Sequence, residues 1–118
     1  MKNKLTIIII VITLFISNIA SAAYVSQMEI GRVHTKSNGY VYFHVTNPPT
    51  DTCEWYSEDF RFDVTTAAGQ AMLSNLLASK ASGAQVDIWY NPSSTPGTNQ
   101  SNGCLETTVA VVYGIGQL

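Results

Sequence analysis

Two histidines, His34 and His44, two cysteines, Cys53 and Cys104, and a set of tyrosines and tryptophans are the residues of this chain whose chemistry could amount to a function. The histidines do not stand in a His-x-x-x-His spacing that would bring two imidazoles to one metal. A site shared between two strands needs at least one more convergent ligand, so both read as ordinary strand residues and no metal or cofactor is expected. Serine, histidine and aspartate are all present, but no glycine-framed nucleophile elbow surrounds any serine. No catalytic set is expected, and therefore no enzyme. Asn99-Gln100-Ser101 matches a glycosylation sequon, a three-residue pattern that arises often by chance.

The aromatic residues carry more. Tyr40, Tyr42, Trp55, Tyr56 and Trp89 fall at positions expected to look partly outward. Rings with polar tips suit sugar faces and subunit interfaces alike, and a barrel core would use them too. Aromatic content alone does not choose among the three.

The N-terminus indicates where such residues would act. Lys2 and Lys4 form a basic start, Leu5 to Ile16 is almost wholly apolar, and Ala20-Ser21-Ala22 offers the small residues of a cleavage site. Ser17 and Asn18 end the apolar run well short of the roughly 20 residues a bilayer span requires, so residues 1–22 read as a signal peptide without membrane insertion. Residues 23–118 then form a single small domain, periplasmic or secreted. In an oxidising compartment the two cysteines read as a disulfide, whose loop of about 50 residues is worth roughly 4 kcal/mol in the chain-entropy model.

Loss of Lys2 and Lys4 leaves Arg32, Lys36, Arg61 and Lys80 against eight acids, so the net charge falls from −2 to −4. Four scattered cations do not build the basic groove that phosphate binding needs, which excludes nucleic acid as a partner.

These residues must be positioned by short strands and one helix. The first strand spans Tyr24 to Thr35, with Met28, Ile30 and Val33 apolar and an alternation break at Gly31 that marks a bulge. Asn38-Gly39 turns the chain into a second strand, Tyr40 to Thr46, with Val41, Phe43 and Val45 on one face and Tyr40, Tyr42 and His44 on the other. After Pro48-Pro49 and an acidic stretch, a third strand, Asp59 to Thr65, points Phe60, Phe62 and Val64 inward and Asp59, Arg61 and Asp63 outward.

Thr65 or Thr66 caps a helix over Ala67 to Ser82, and Gly83 closes it. Its apolar stripe is Ala68, Met72, Leu73, Leu76, Leu77 and Ala81. Gln70, Ser74, Asn75 and Ser79 are left for a face that could approach neighbouring helices. A fourth strand, Ala84 to Asn91, precedes a polar loop, Pro92 to Gly103, that is either mobile or part of a binding rim. The last strand is expected over Leu105 to Ile115. The fold class is mainly β with one helix, and the order β-β-β-α-β-β is that of a five-stranded OB-fold barrel, whose faces and loops bind oligosaccharides or oligonucleotides.

The run Ser26-Gln27-Met28-Glu29-Ile30-Gly31-Arg32-Val33-His34 resembles the first strand of the OB-fold B subunits of the subtilase-cytotoxin and typhoid-toxin group of pentameric bacterial A-B toxins. The resemblance continues through Tyr40 to Phe43 and through Leu73 to Tyr90, where Ser82-Gly83-Ala84-Gln85-Val86 is similar to a Thr-Gly-Gln-x-Val junction. It implies a ring of five B subunits that binds cell-surface glycans ending in sialic acid and delivers a separate catalytic A subunit. It also implies that Ser26 contacts the sugar, with Tyr24 nearby and Tyr40 and Tyr42 as further glycan-binding candidates. The expectation is a secreted sialoglycan-binding subunit of a homopentamer. Beside it stands a monomeric exported OB-fold protein that binds a protein partner, such as an inhibitor or envelope factor.

Overall fold

The computed structural model describes residues 22–117, so the expected signal peptide lies outside the described residues except for its last position. The first long strand is two strands, β1 (Ala23–Met28) and β2 (Ile30–Thr35), parted only at Glu29. Gln27 takes a positive φ of 57° there and the pairing register slips between Val25 and Met28. A second slip, between Ile30 and Val33, is the bulge expected at Gly31.

The chain continues through β3 (Tyr40–Val45), the two-residue β4 (Cys53–Glu54), β5 (Phe60–Asp63), helix α1 (Ala67–Ser82), β6 (Val86–Asn91), the two-residue β7 (Gly97–Thr98) and β8 (Ala110–Gln117). Six strands form one sheet in the order β1-β6-β8-β5-β3-β2, while β4 and β7 pair separately. All neighbours in the large sheet are antiparallel except β5 and β8. Its two outermost strands are thus consecutive in sequence, one residue apart. Among the described residues no helix is long and apolar enough to cross a membrane.

The core follows from period-2 alternation. Val41, Phe43 and Val45 of β3 meet Phe60 and Phe62 of β5, Val86, Ile88 and Tyr90 of β6, and Ala110, Val112 and Ile115 of β8. Each large apolar side chain buried in this way contributes about 1.5–3 kcal/mol.

Helix α1 caps the core with Leu76, which is fully buried, and with Met72 and Leu73. Thr66 is the N-cap, its hydroxyl accepting from the Gly69 N–H at 3.0 Å, and Gly83 ends the helix at φ 72°. The packed stripe differs from the one expected. Gly69 and Ser79 are buried whereas Ala68, Leu77 and Ala81 are exposed. Contact with the sheet demands small residues at both ends of the stripe: Gly69 abuts the backbone of Asp63, and Ser79 lies under Gln117, whose amide donates to it at 3.3 Å.

On the other side of the sheet, a second apolar cluster joins Tyr42, Val109 and the Cys53–Cys104 disulfide, with Tyr40 and Trp55 against it. The bond spans 51 residues at a Cα separation of 5.3 Å. It ties the 46–58 segment to the loop after β6. That loop, expected to be mobile or part of a binding rim, is paired back onto the 46–58 segment: β7 pairs in parallel with β4, and the N–H groups of Ser93, Gly97 and Asn99 donate to the carbonyls of Asp51, Thr52 and Glu54. The last strand also starts later than expected, at Ala110, because Glu106–Thr108 form a 3-10 turn.

Candidate functional site

Of the four expected sugar-contact residues, Tyr24 and Ser26 lie together on β1. Tyr24 is the register partner of Trp89 on β6, and the two rings stack at 5.0 Å between centroids, tilted by 43°. Trp89 in turn is opposite Gly114 on β8 and lies across both Gly114 and Gly116, where a Cβ would meet the indole at 3.1 and 3.2 Å. Two glycines on one strand face give the indole a flat backbone bed, as when an aromatic covers a bare glycine in a sheet. Tyr24, Trp89 and Tyr113 remain 53%, 37% and 50% exposed.

Polar groups surround the stack. Asp87 accepts from the Gln27 N–H at 3.2 Å, the donor freed by the positive φ of that residue. A hydrogen bond to Asp87, then burial and the charge of the same carboxylate, raise the Tyr24 pKa, and a hydrogen bond with Ser26 opposes them. Ser26, Tyr24 and Asp87 therefore form one polar rim beside an exposed aromatic surface. Asp87 and Tyr113 were not singled out in the sequence. Asp87 is legible only from its place two residues before Trp89 on the same strand face.

Tyr40 and Tyr42 lie elsewhere, with β6, β8 and β5 between β1 and β3 in the sheet order. Tyr42 does not look outward. It is 1% exposed beneath the disulfide-bearing loops, its hydroxyl accepting from Asn38 and its ring covered by the Lys36 ammonium at 4.1 Å. Tyr40 is half-buried, with the Arg61 guanidinium 5.0 Å from its ring centre. Arg61 also donates to the carbonyls of Val109 and Thr107, so that face is occupied by the chain itself.

No known family model matches this sequence, and no curated protein matches it. The chemistry must be read from the side chains.

Two buried acids sit on the covered side of the sheet. Glu58, 2% exposed, is met by three basic side chains spaced two residues apart, Arg32 at 3.4 Å and His34 at 2.9 Å on β2 and Lys36 at 2.9 Å just after it. Lys36 also reaches Glu106 at 3.3 Å. Burial alone would lower the Lys36 pKa, but the two carboxylates outweigh it and raise it. Three of the basic groups in an acidic chain are thereby spent on an internal anchor between β2 and the 46–58 segment.

Asp59, expected to face outward, is fully buried, and its pKa is raised by that burial against the opposing Val45 N–H and His44. Among the described residues, His44, Glu54 and Asp59 form the one His/Asp/Glu set whose ligand atoms lie within 4.8 Å of one another. Side chains of ligand type that the sequence spacing did not reveal thus lie around His44.

Proposed function

We propose that the chain is an exported, non-enzymatic, glycan-binding subunit of the toxin-B type, which presents the Tyr24, Ser26, Asp87 and Trp89 surface to a sialylated cell-surface glycan and delivers a separate catalytic subunit. The observation that carries this reading is the exposed Tyr24–Trp89 stack with Ser26 and Asp87 on its rim. A ring face supplies apolar contact to the C–H face of a sugar. The serine hydroxyl donates to a carboxylate, and Asp87 accepts from sugar hydroxyls. Pre-seating of Trp89 on Gly114 and Gly116 lowers the ordering cost of binding.

The barrel form of the fold is part of the same proposal. Supporting it are the two outer strands, β1 and β2, which are one stretch of chain bent at Glu29, the parallel β5–β8 pair, and α1 inserted between β5 and β6. Joined at that bend, the six-stranded sheet becomes the five-stranded OB barrel. The disulfide agrees with export to an oxidising compartment. Assembly into a ring of five gives weak single sites the multivalency they need, since an acidic chain does not attract a sialic acid from a distance.

The test is a glycan array with the purified exported protein, repeated with Ser26→Ala and Tyr24→Ala, beside light scattering for subunit number. Sialylated glycans should give signal, both variants should lose most of it, and the protein should be a ring of about five. Absence of signal, or variants that bind like wild type, overturns the glycan site. A strict monomer at micromolar concentration overturns the ring and leaves the partner-binding reading in its place.

A further inference from the structure

We propose that His44, Glu54 and Asp59 form a binding site for a divalent transition-metal ion of the Zn²⁺ class, independent of the glycan surface. The three residues come from separate pieces of chain, β3, β4 and the entry to β5, and their ligand atoms lie within 4.8 Å of one another. A cluster of side chains does not make a site without a sign that something is missing from it. Here there are two such signs.

The first is Asp59 itself. It is 0% exposed, and while its Oδ2 accepts from the Val45 N–H at 3.0 Å, its Oδ1 is buried without a hydrogen-bond partner among the described residues. A buried carboxylate oxygen left in this way is a net cost to the folded chain unless something else satisfies it. The second is the imidazole. His44 Nδ1 lies 2.7 Å from Asp59 Oδ2, an ion pair when the imidazole is protonated, and it is buried with no aligned hydrogen-bond partner among the described residues. An imidazole nitrogen this close to a carboxylate oxygen is already placed for a shared cation, which would take a lone pair from each in place of the proton between them.

The ring is closely packed. Gly31 lies against it so closely that a Cβ would be 2.9 Å from the imidazole Cδ2, and β2 carries its bulge at this point. Glu54 completes the set from a half-buried position at the edge of a groove of about 250 Å³ lined by Pro48, Thr50, Thr52 and Gly97. One imidazole nitrogen and two carboxylates suit Zn²⁺ or Mn²⁺ better than Ca²⁺ or Mg²⁺, which favour all-oxygen shells, and better than Cu(I), which favours sulfur. Three protein ligands leave a coordination position for water or an exogenous group from the groove. A bound ion would also fasten β4, and with it the disulfide-bearing segment, to β3.

The experiment is titration calorimetry of the chelator-treated, disulfide-intact protein with Zn²⁺, with Mn²⁺ as the second probe and thermal unfolding as an independent readout. One equivalent of Zn²⁺ per chain is expected, with a rise in Tm that chelator reverses. Glu54→Gln, at a half-buried position where folding is tolerant, should weaken binding by about tenfold or more, and Asp59→Asn should abolish it. His34→Gln should leave binding unchanged. The proposal fails if neither ion gives heat or a Tm shift at about 1 mM, a concentration well above the affinity of such sites. It fails equally if Glu54→Gln binds like wild type or if His34→Gln removes the binding. Should Asp59→Asn not fold, Glu54→Gln and His34→Gln decide the matter by themselves.

Discussion

Gly69→Ala sets two physical rules against each other. On helix propensity alone, replacing a glycine in the first turns of α1 by alanine should stabilise the protein by about 1 kcal/mol. The geometry reverses the sign. A Cβ at Gly69 would lie 1.7 Å from the Asp63 carbonyl oxygen, 2.8 Å from its carbon and 3.1 Å from Val64 Cα. An ordinary C···O contact is about 3.3 Å, so the helix start would have to lift by roughly 1.5 Å. None of the opposing atoms can yield easily. Asp63 is paired with Tyr40 across β5 and β3, its carboxylate takes both the N–H and the hydroxyl of Thr65, and the Val64 N–H donates to the Gly39 carbonyl. Overpacking of this kind costs about 1–3 kcal/mol, and loss of the Thr66 cap bond to Gly69 adds about 1. Net of the propensity gain, the expected destabilisation is about 1–3 kcal/mol, a fall in Tm of roughly 5–20 °C for a domain of this size. Far-UV circular dichroism of the oxidised protein during heating measures it. Gly83→Ala is the comparison: φ there is 72° with no atom within 4 Å, so only backbone strain of about 1 kcal/mol is expected. A Gly69→Ala variant at least as stable as wild type would refute the close approach of α1 to β5.

Cys104→Ser, or reduction, should lower stability by up to about 4 kcal/mol, read from urea unfolding with and without reductant. Glu58→Gln should cost about 1–2 kcal/mol in the same assay, because Arg32 and His34 are half exposed and can return to water while Lys36 keeps Glu106. Stability should also fall in base. The pKa values of Tyr90, Lys36 and Tyr24 are all raised in the folded protein, Tyr90 through burial first and then its bond to Asp51 at 2.6 Å. A raised folded-state pKa gives stability that is complete below the ordinary values of 10.0 and 10.5 and is lost as pH rises through the folded ones. Tm measured from about pH 9 to 12 should therefore hold and then decline, with a smaller decline in Tyr90→Phe; a flat profile would count against these environments.

Local signals in the sequence translate directly into structure where the chain itself decides the outcome. Thr66 and Gly83 bound α1 because a cap and a left-handed residue act within a single turn. Val41, Phe43 and Val45 turn inward because alternation fixes the face of each side chain. Alternation does not say what lies over the opposite face, and there the reading of Tyr42 and Asp59 as outward is overturned by the 46–58 and post-β6 segments packing across them. The helix stripe is misjudged for a related reason. Apolar character suggests Leu77 and Ala81, whereas backbone proximity selects Gly69 and Ser79 for their size. Glu54, Asp59 and His44 come together only through tertiary pairing of β4 and the approach to β5, which no spacing along the chain records.

The asymmetry between the two stretches of outer sheet face decides what each can do. Over β3 and β5, the disulfide, β4, β7 and the Glu58 ion pairs form a second layer, so aromatics there are packing elements and cations there have internal partners. Over β1, β6 and β8 the outer residues Tyr24, Trp89 and Tyr113 keep their solvent exposure, and two glycines under the indole hold it flat in place of a covering loop. Exposed rings grouped on one face offer a surface for contact with something outside the protein. The same covering layer that takes Tyr42 out of solution brings Glu54 to His44 and Asp59. On the readings proposed above, one half of the outer surface recognises a ligand by stacking and the other binds an ion by convergence. Substitutions in one, such as Tyr24→Ala, should leave the other's ligand unaffected, since the two share no side chain.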